Sequence, residues 1–286
     1  MQVLFDGIVS GLVIALLSLS FTLVYLPTRV FFLALAGIYA FVPYAAWALF
    51  QAGWPLYAAA IAATLGGVVV SLLCELANHA PLERRRASEN AHMLASLGIY
   101  IVIVQLVSIG WGNEPKVFSL GAEPALRIGE LVLARPQSVA GVTSVLLLTL
   151  FFGWLRRSES GLQFQGLADN PVELALKGHN VACLRLLAFG LSGFLASAAA
   201  LLTAFDVGFD PHRGLYALLL AVVAAMIGGR FSFVGPAVGG VILGVARSEI
   251  SWSFPARWLE AFTFLMLIAF LLFRPHGLTG RNANGR

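Results

Sequence analysis

The stretch that decides the fold is 7-GIVSGLVIALLSLSFTLVY-25, which runs for 19 residues without a charged side chain. A membrane-spanning helix needs about 20 mostly apolar residues, so we predict that this stretch crosses a bilayer. The residues before it include Asp6 but no Lys or Arg, and no small-residue cleavage motif precedes Tyr25. Because a secretory signal peptide has both features, the sequence favours a helix that stays in the membrane.

The composition extends this interpretation to the whole chain. Of its 286 residues, 59% are hydrophobic and 11% are charged, whereas soluble domains have about 25% charged residues. The net charge of +4 does not indicate a nucleic-acid partner, because the basic residues stand mainly at the ends of apolar segments. We therefore predict an all-α integral membrane protein, a helical bundle with about eight or nine transmembrane segments in the lipid bilayer.

Further apolar stretches of suitable length mark the other segments. The predicted spans are Val3–Tyr25, Val30–Phe50, Pro55–Leu76, Met93–Trp111, Ser138–Leu155, Cys183–Phe205 and Ala256–Phe273. The region Leu215–Ala246 is too long for one span and is interrupted by Gly228-Gly229-Arg230 and by Gly235-Pro236. Two short helices joined by a tight turn fit this region best.

Basic residues predict the orientation of the spans. They are concentrated in the predicted loops Asn78–His92 and Arg156–Ala182 and in the tail 274–286, which the alternation of spans places on one side if Leu215–Ala246 counts as two crossings. Because cytoplasmic loops are enriched in Lys and Arg, we predict that these segments are cytoplasmic and that the N-terminus lies outside. The segment 113–136 is then external, and its short alternating runs predict a small ordered cap, for which a hairpin is one arrangement.

Motifs for catalysis are absent from the sequence. It contains neither a G-x-x-x-x-G-K-[ST] phosphate loop nor a G-x-S-x-G nucleophile elbow. Its five histidines include no H-x-x-x-H pair of the zinc-binding kind. We therefore predict no catalytic residue, no metal site and no cofactor in this chain.

Polar side chains within the spans are few, and two interpretations of them stay open. They line a weakly polar path for a solute, or they make hydrogen bonds between helices, which contribute about 0.6 kcal/mol each. These residues are Ser18, Ser20, Thr22, Gln105 and Ser108. An ion-driven carrier usually has a carboxylate near the bilayer midplane, but Asp6, Glu75 and Glu260 all lie near span ends.

Small residues recur at spacings of four along several spans. Such spacings let two helix backbones approach closely, and we interpret them as sites of close packing within the chain, with a dimer seam as the alternative. They are Gly7 with Gly11, Gly235 with Gly239 and Gly240 with Gly244, and the pair Gly228 and Gly229 accompanies them.

The segment 167-LADNPVELALKG-178 has the signals of a short capped helix. Asn170 is a favourable N-cap, Pro171 suits the first helical position, and Glu173 stands where a capping box requires a carboxylate. Lys177 complements the C-terminal dipole, and Gly178 can adopt the left-handed exit conformation.

A helix of about two turns is not stable alone in water, so its apolar face must dock. The two options are the chain's own membrane domain and a soluble partner. The residues of this face are Val172, Ala175 and Leu176.

Six groups of residues stand in a characteristic order and cover nearly the whole chain. They are Gly11–Tyr25, then Glu75–Leu82 with Leu94–Gly98 and Gln105, then Asp169–Glu173 with Lys177–Asn180, then Ala188–Ala196, Ile227–Gly240 and Leu272–Leu278. In this order and spacing they resemble the permease subunits of ABC importers for branched-chain amino acids, specifically the shorter of the two paired permease types.

The resemblance implies a division of labour at a bacterial inner membrane. The chain 1–286 would be a single permease domain that forms half of a solute path, together with a second permease subunit, different or identical. Two ABC ATPase subunits would bind the cytoplasmic face, and a periplasmic binding protein would deliver the substrate. The segment Asp169–Gly178 would be the coupling helix that contacts an ATPase subunit.

One stretch departs from the family pattern. Family members commonly have a polar Asn-Phe-Ala-His-Gly-Glu-like patch where this chain has Phe32-Leu-Ala-Leu-Ala-Gly37. This leaves a branched-chain or other hydrophobic amino acid, or a small organic acid or amide, open as the substrate. The alternative functions are a self-sufficient secondary carrier or channel, and an integral-membrane lipid-modifying enzyme.

Overall fold

The computed structural model describes residues 1–118, 126–128, 131–229, 232–274 and 277–278. This part of the chain is almost entirely helical. The helices are α1 (Gln2–Thr28), α2 (Ala34–Gln51), α3 (Leu56–Cys74), α4 (Ala80–Arg84), α5 (Glu89–Trp111), α6 (Arg135–Arg157), α7 (Glu159–Asp169), α8 (Pro171–Leu176), α9 (Val181–Val207), α10 (Arg213–Gly228), α11 (Val234–Ser253) and α12 (Leu259–Phe273). A π-helical segment, Glu75–His79, joins α3 to α4, and a 3-10 turn, Ala256–Trp258, precedes α12.

Six of the described helices are long and apolar enough to cross a bilayer. They are α1, α2, α3 with its continuation to Arg84, α5, α6 and α9. This confirms the prediction of a helical membrane bundle. Helices α10 and α12 are apolar but shorter, so the total of eight or nine segments stays a prediction.

Helix α1 lies at the centre of the bundle. In its most apolar window 72% of the residues are buried, compared with 61% for α2 and α9 and 22% for α3, α5 and α6. The outer helices turn apolar side chains outward, as on α3, where Ile61, Leu65, Val69 and Leu73 are exposed at intervals of four. An outward apolar face at helical spacing is what contact with lipid requires.

The bundle has two distinguishable ends, which helix α9 connects. At its start, Arg185 contacts Glu75 and Glu83 in the connection between α3 and α5; we name this the coupling end. Beyond its last residue, Phe209 exchanges backbone hydrogen bonds of 2.8 and 2.9 Å with Lys116, which follows α5; we name this the cap end.

Part of the predicted cap is described. Strands β1 (Leu126–Ile128) and β2 (Leu131–Leu133) pair antiparallel, with Leu126 opposite Leu133. Residues 119–125 and 129–130 of this segment lie outside the described residues, as do 275–276 and 279–286 of the predicted tail.

Helices α1 and α11 approach each other backbone to backbone. A Cβ atom placed on Gly11 would lie 2.8 Å from the Val241 Cα atom, closer than real Cβ contacts. From the other side, a Cβ on Gly240 would overlap the backbone of Ala15, and one on Gly244 would overlap the backbone of Gly11. Gly7 lies one turn further along the same contact. The pair Gly7 and Gly11 of α1 and the pair Gly240 and Gly244 of α11 therefore face each other within this chain.

The region Leu215–Ala246 forms two helices, as predicted. Helix α10 ends at Gly228 and α11 begins at Val234, and Arg230 in the break lies outside the described residues. Gly229 has a φ of 118°, a conformation that residues with a side chain rarely adopt. The glycines where the backbones of α10 and α11 cross closely are Gly228, Gly235 and Gly239.

The prediction of a loop over Asn78–His92 is wrong. The helix that begins with α3 continues to Arg84, and α5 already begins at Glu89, where the Ser88 side chain caps it by accepting a hydrogen bond from the Ala91 backbone N at 3.4 Å. The polar composition was interpreted as a loop, but here it belongs to helix ends that extend beyond the apolar span.

Five side chains form a network at the coupling end. Arg185 Nε donates to Glu75 Oε1 at 2.8 Å, and Arg185 Nη1 lies 3.1 Å from Glu83 Oε2. The rings of His79 and His92 stack, with their Nδ1 atoms 3.1 Å apart, and His92 Nε2 lies 3.8 Å from Glu83 Oε2. We name Glu75, His79, Glu83, His92 and Arg185 the coupling-end network. It ties the beginning of α9 to the connection between α3 and α5.

We expect Gly244→Val to destabilise the protein by about 1–3 kcal/mol or more, because its side chain would overlap the backbone of Gly11. The measurement is the thermal unfolding midpoint of the purified protein in detergent. Gly98→Val is the matched control, since a Cβ there meets no atom within 4 Å. Equal midpoints for the two variants would contradict the close crossing.

We expect Arg185→Leu to destabilise the protein by about 3–5 kcal/mol, because the Glu75 side chain is only 3% exposed and would keep a buried charge without its partner. The double replacement Arg185→Leu with Glu75→Leu should recover most of this loss, since no charge remains buried. Lys177→Met, which breaks an exposed pair with Glu173, should change stability by less than about 0.5 kcal/mol. A denaturation series in detergent compares the three variants, and a similar effect of Arg185→Leu and Lys177→Met would contradict the buried network.

Candidate functional site

The capped helix forms where the sequence predicts it, as α8. The Asn170 side chain accepts hydrogen bonds from the backbone N atoms of Val172 and Glu173, each at 3.2 Å. Pro171 occupies the first helical position, where a missing N–H is tolerated. Lys177 Nζ and Glu173 Oε1 form an exposed ion pair at 2.9 Å. Local contacts thus hold the helix in shape.

The apolar residues of α8 point in different directions. Leu174 is buried and packs next to Gly166 of α7, whereas Val172 and Leu176 are 68% and 84% exposed. Ala175 is also exposed, as are Asp169 before the helix and Gly178 after it, where φ is 85°. The face that was predicted to dock is therefore not covered by the chain's own membrane domain, and Leu174 anchors the helix instead.

Helix α7 supports α8. Its Phe164 and Leu167 side chains are 0% and 1% exposed, and the Ser158 hydroxyl caps it by accepting a hydrogen bond from the Gly161 backbone N at 2.9 Å. This helix, inside the segment Arg156–Ala182, was not predicted from the sequence. The signal that could have found it is Ser158 followed by Glu159 in the first turn.

A cavity of about 710 Å³ lies in the half of the bundle toward the cap end. Its walls come mainly from α1, α6, α9, α10 and α11, with Tyr39 of α2 and Leu259 of α12, and on α1 the lining extends from Val3 to Leu17. The volume lies within the ~300–1,000 Å³ range of small-molecule sites. This cavity was not predicted, because its walls come from helices that are distant in sequence.

Four charged side chains line the cavity: Asp6, Asp206, Arg213 and Arg247. Sequence reasoning placed Asp6 near a span end and did not single out the other three. Their positions carried a signal, since Asp206 and Arg213 flank a short polar break between two apolar segments, and Arg247 is the first charged residue after the apolar first half of α11.

The three hydroxyl residues predicted on α1, Ser18, Ser20 and Thr22, are buried, and Ser20 alone bonds to a neighbouring helix. The Ser20 hydroxyl donates to the Ser192 backbone O at 2.7 Å and lies 3.1 Å from the Ser192 hydroxyl. The Thr22 hydroxyl donates to the Ser18 backbone O at 2.9 Å. The Ser18 hydroxyl has no hydrogen-bond partner among the described residues.

The two residues of α5 that were predicted to line a path, Gln105 and Ser108, differ in exposure. Gln105 is exposed, and the Ser108 hydroxyl is buried without a partner in the described part of the chain. None of Ser18, Ser20, Thr22, Gln105 and Ser108 is among the residues that line the large cavity, although Thr22 borders a small one of about 40 Å³. Their role as path lining stays a prediction.

The apolar stretch at 32–37 belongs to the core. Phe32, Leu35 and Ala36 are 0% exposed, and the Phe32 ring packs edge-on against Phe189 with centroids 4.9 Å apart. This stretch does not line the large cavity, so its lack of polar side chains does not bear on what the cavity can hold. Across the described residues, no three His, Cys, Asp or Glu side chains are placed to hold a metal ion.

Comparison with known proteins finds relatives that match most of this chain. The high-affinity branched-chain amino acid transport system permease protein LivH of Escherichia coli K12 is 25% identical over 98% of this chain and 96% of its own length. The probable branched-chain amino acid transport permease LivH of Methanocaldococcus jannaschii is 27% identical over 98% of this chain and 92% of its own. The autoinducer 2 import system permease LsrC of Escherichia coli K12 DH10B is 26% identical over 79% of this chain and 65% of its own.

No solved structure matches the chain significantly. A family model described as the permease component of the branched-chain amino acid transport system matches residues 3–271. This match extends from the beginning of α1 to the last turns of α12, and it includes both the cavity and α8. The chain therefore belongs to the family of permease components of branched-chain amino acid transport systems.

Proposed function

We propose that this chain is one permease subunit of an ATP-driven importer and forms half of the path of a hydrophobic amino acid. The single observation that supports the coupling role best is the exposed apolar face of α8. A helix of six residues is held by its caps and by Leu174, yet it leaves Val172 and Leu176 in contact with water. Exposed apolar side chains on a fixed helix are suited to a groove in a soluble partner.

The partner on this face is an ABC ATPase subunit. The chain has no phosphate loop of its own, and the relatives are permease components of transport systems. A second permease subunit completes the path, and a binding protein delivers the substrate on the opposite face. The amino acid substrate is proposed from the names of the relatives.

The coupling end is cytoplasmic in this proposal, and the cap end faces the outside of a bacterial inner membrane. The basic segments 78–92 and 156–182 support this orientation, because they connect the helices that meet at the coupling end. The large cavity then lies in the outer half of the bundle, where a substrate would enter from the binding protein.

A secondary carrier is the second candidate, and the carboxylates of Asp6 and Asp206 in the cavity are the observation that favours it, because such carriers bind ions at carboxylates. Co-purification from native membranes separates the two. An ATPase that travels with the chain supports the importer, whereas uphill transport by the reconstituted chain alone, driven by an ion gradient, would establish the carrier.

We expect Leu176→Asp to reduce ATP-dependent uptake about tenfold or more, because a charge on the exposed face of α8 would weaken contact with the ATPase. Assembly in the membrane should be unchanged, since Leu176 is 84% exposed. Uptake and ATP hydrolysis are measured together in proteoliposomes that contain the whole transporter. Val117→Asp is the matched control, because Val117 is 65% exposed at the cap end. Unchanged uptake with Leu176→Asp would refute the role of α8.

Cysteine labelling in whole cells tests the orientation. Cys183 is exposed and is first replaced by Ser. We expect a membrane-impermeant maleimide to label Val117→Cys in intact cells and to label Arg85→Cys only after the membrane is opened. The reverse pattern would show that the chain is inserted the other way.

A further inference from the structure

The large cavity contains both signs of charge, on separate helices. The acidic side chains come from the beginning of α1 and the end of α9, and the basic ones come from α10 and α11. Their hydrogen-bond partners show which of them are committed to the protein and which are available to a ligand.

Arg247 is held in place by neutral partners. Its Nη1 donates to the Thr263 hydroxyl at 2.6 Å and its Nη2 to the Tyr216 hydroxyl at 2.7 Å, and the guanidinium lies 5.7 Å from the centre of the Tyr216 ring. A guanidinium has five N–H donors, so some remain available. No carboxylate pairs with Arg247 in the described part of the chain. Arg213 differs, since its Nε lies 3.0 Å from Asp210 Oδ2.

The two carboxylates have little compensation. Asp206 makes no hydrogen bond or ion pair with any residue that the structure describes. Asp6 accepts one hydrogen bond, at 3.0 Å from the Gln2 side-chain amide, and lies close enough to Asp206 for the two charges to repel each other. A cation between them would relieve that repulsion, and an ammonium group has three donors to share between two carboxylates.

The rest of the lining is mostly apolar. On α1, Asp6 is followed two to three turns further into the bundle by Val13, Ile14 and Leu17, and Leu202 and Leu220 face the cavity from α9 and α10. A small apolar group that enters this part leaves water without burying a polar atom. The cavity thus combines an anionic point, a cationic point and an apolar chamber.

We propose that this cavity binds a free α-amino acid as its zwitterion. The α-carboxylate pairs with Arg247, the α-ammonium group lies between Asp206 and Asp6, and the side chain points toward Val13 and Leu17. This inference rests on the proposed import of amino acids and adds the residues that recognise the substrate inside the membrane domain. A ligand with only one charge would leave either the guanidinium or the carboxylate pair uncompensated, which costs binding free energy.

Ligand binding to the complete permease–ATPase complex in lipid nanodiscs tests the proposal directly. Tritiated leucine is the probe, and two analogues compete with it. The hydroxy acid analogue of leucine lacks the ammonium group, and isoamylamine lacks the carboxylate. Omitting the binding protein ensures that its own specificity does not enter the result. ATP-dependent leucine uptake by the complete transporter, with its binding protein, is measured in parallel.

Each variant should lose affinity for the group that its residue recognises. Asp206→Asn should weaken leucine binding about tenfold or more without lowering the affinity for the hydroxy acid. Arg247→Gln should weaken leucine binding similarly without lowering the affinity for isoamylamine. Glu249→Gln and Arg257→Gln make the same chemical changes at exposed positions outside the cavity lining, and should bind all three ligands as the wild type does.

The outcomes separate this inference from the proposed function. If the wild-type transporter imports leucine but both variants keep their affinity for it, the cavity assignment is wrong and the importer proposal stands. A loss by the same factor for all three ligands also overturns the assignment, because that is the result of general damage. If the wild-type transporter imports no amino acid in the presence of ATP, the proposed function itself fails.

Discussion

The contact between α1 and α11 is the constraint on which the rest of the bundle depends. Within a bilayer, an apolar helix gains no hydrophobic free energy by exchanging lipid for another helix, so association relies on dense packing and on interhelical hydrogen bonds. Gly11 and Gly244 remove the side chains at this crossing and let the two backbones touch. Since α1 is also the most buried of the six candidate spans among the described helices, its position determines where α2, α9 and α10 can pack. The same helix turns Val13 and Leu17 toward the cavity, so packing and cavity shape are set together.

A second constraint acts at the coupling end, where charge rather than close packing joins the helices. A carboxylate as buried as Glu75 is tolerated only with a partner, and Arg185 supplies it from a helix that begins five residues after α8 ends. Arg185 also contacts Glu83, so the connection between α3 and α5 is held to α9 at two points. Under the proposed coupling role, a displacement of α8 would move the beginning of α9 and the connection between α3 and α5 together.

The features that the sequence predicted are those determined locally. The length of an apolar stretch decides whether it spans. The capping of α8 needs only Asn170 and the two residues, Val172 and Glu173, whose backbone N–H groups donate hydrogen bonds to its side chain. The features that it missed depend on residues far apart. Arg185 meets Glu75 from 110 positions away, and the cavity gathers residues from both halves of the chain. For α8 the exposed residues Val172 and Leu176 were predicted to dock, but the burial of Leu174 was not predicted, because it depends on α7. Helix α7 was not recognised in the sequence, because it contains two glycines and several polar residues.

Helix α9 gives a physical basis for communication between the two candidate sites. Arg185 and Asp206 stand on the same unbroken helix, about 30 Å apart at 1.5 Å per residue. Between them, Ser192 accepts a hydrogen bond from Ser20 of α1, so α9 is held to the central helix near the middle and by different partners at each end. A stiff helix fixed at its middle transmits a displacement of one end to the other as a tilt, without a chain of local rearrangements. In the proposed importer, movement at α8 would therefore change the position of Asp206 relative to Arg247. Arg247 stands on α11, and α11 is held to α1 by backbone contact.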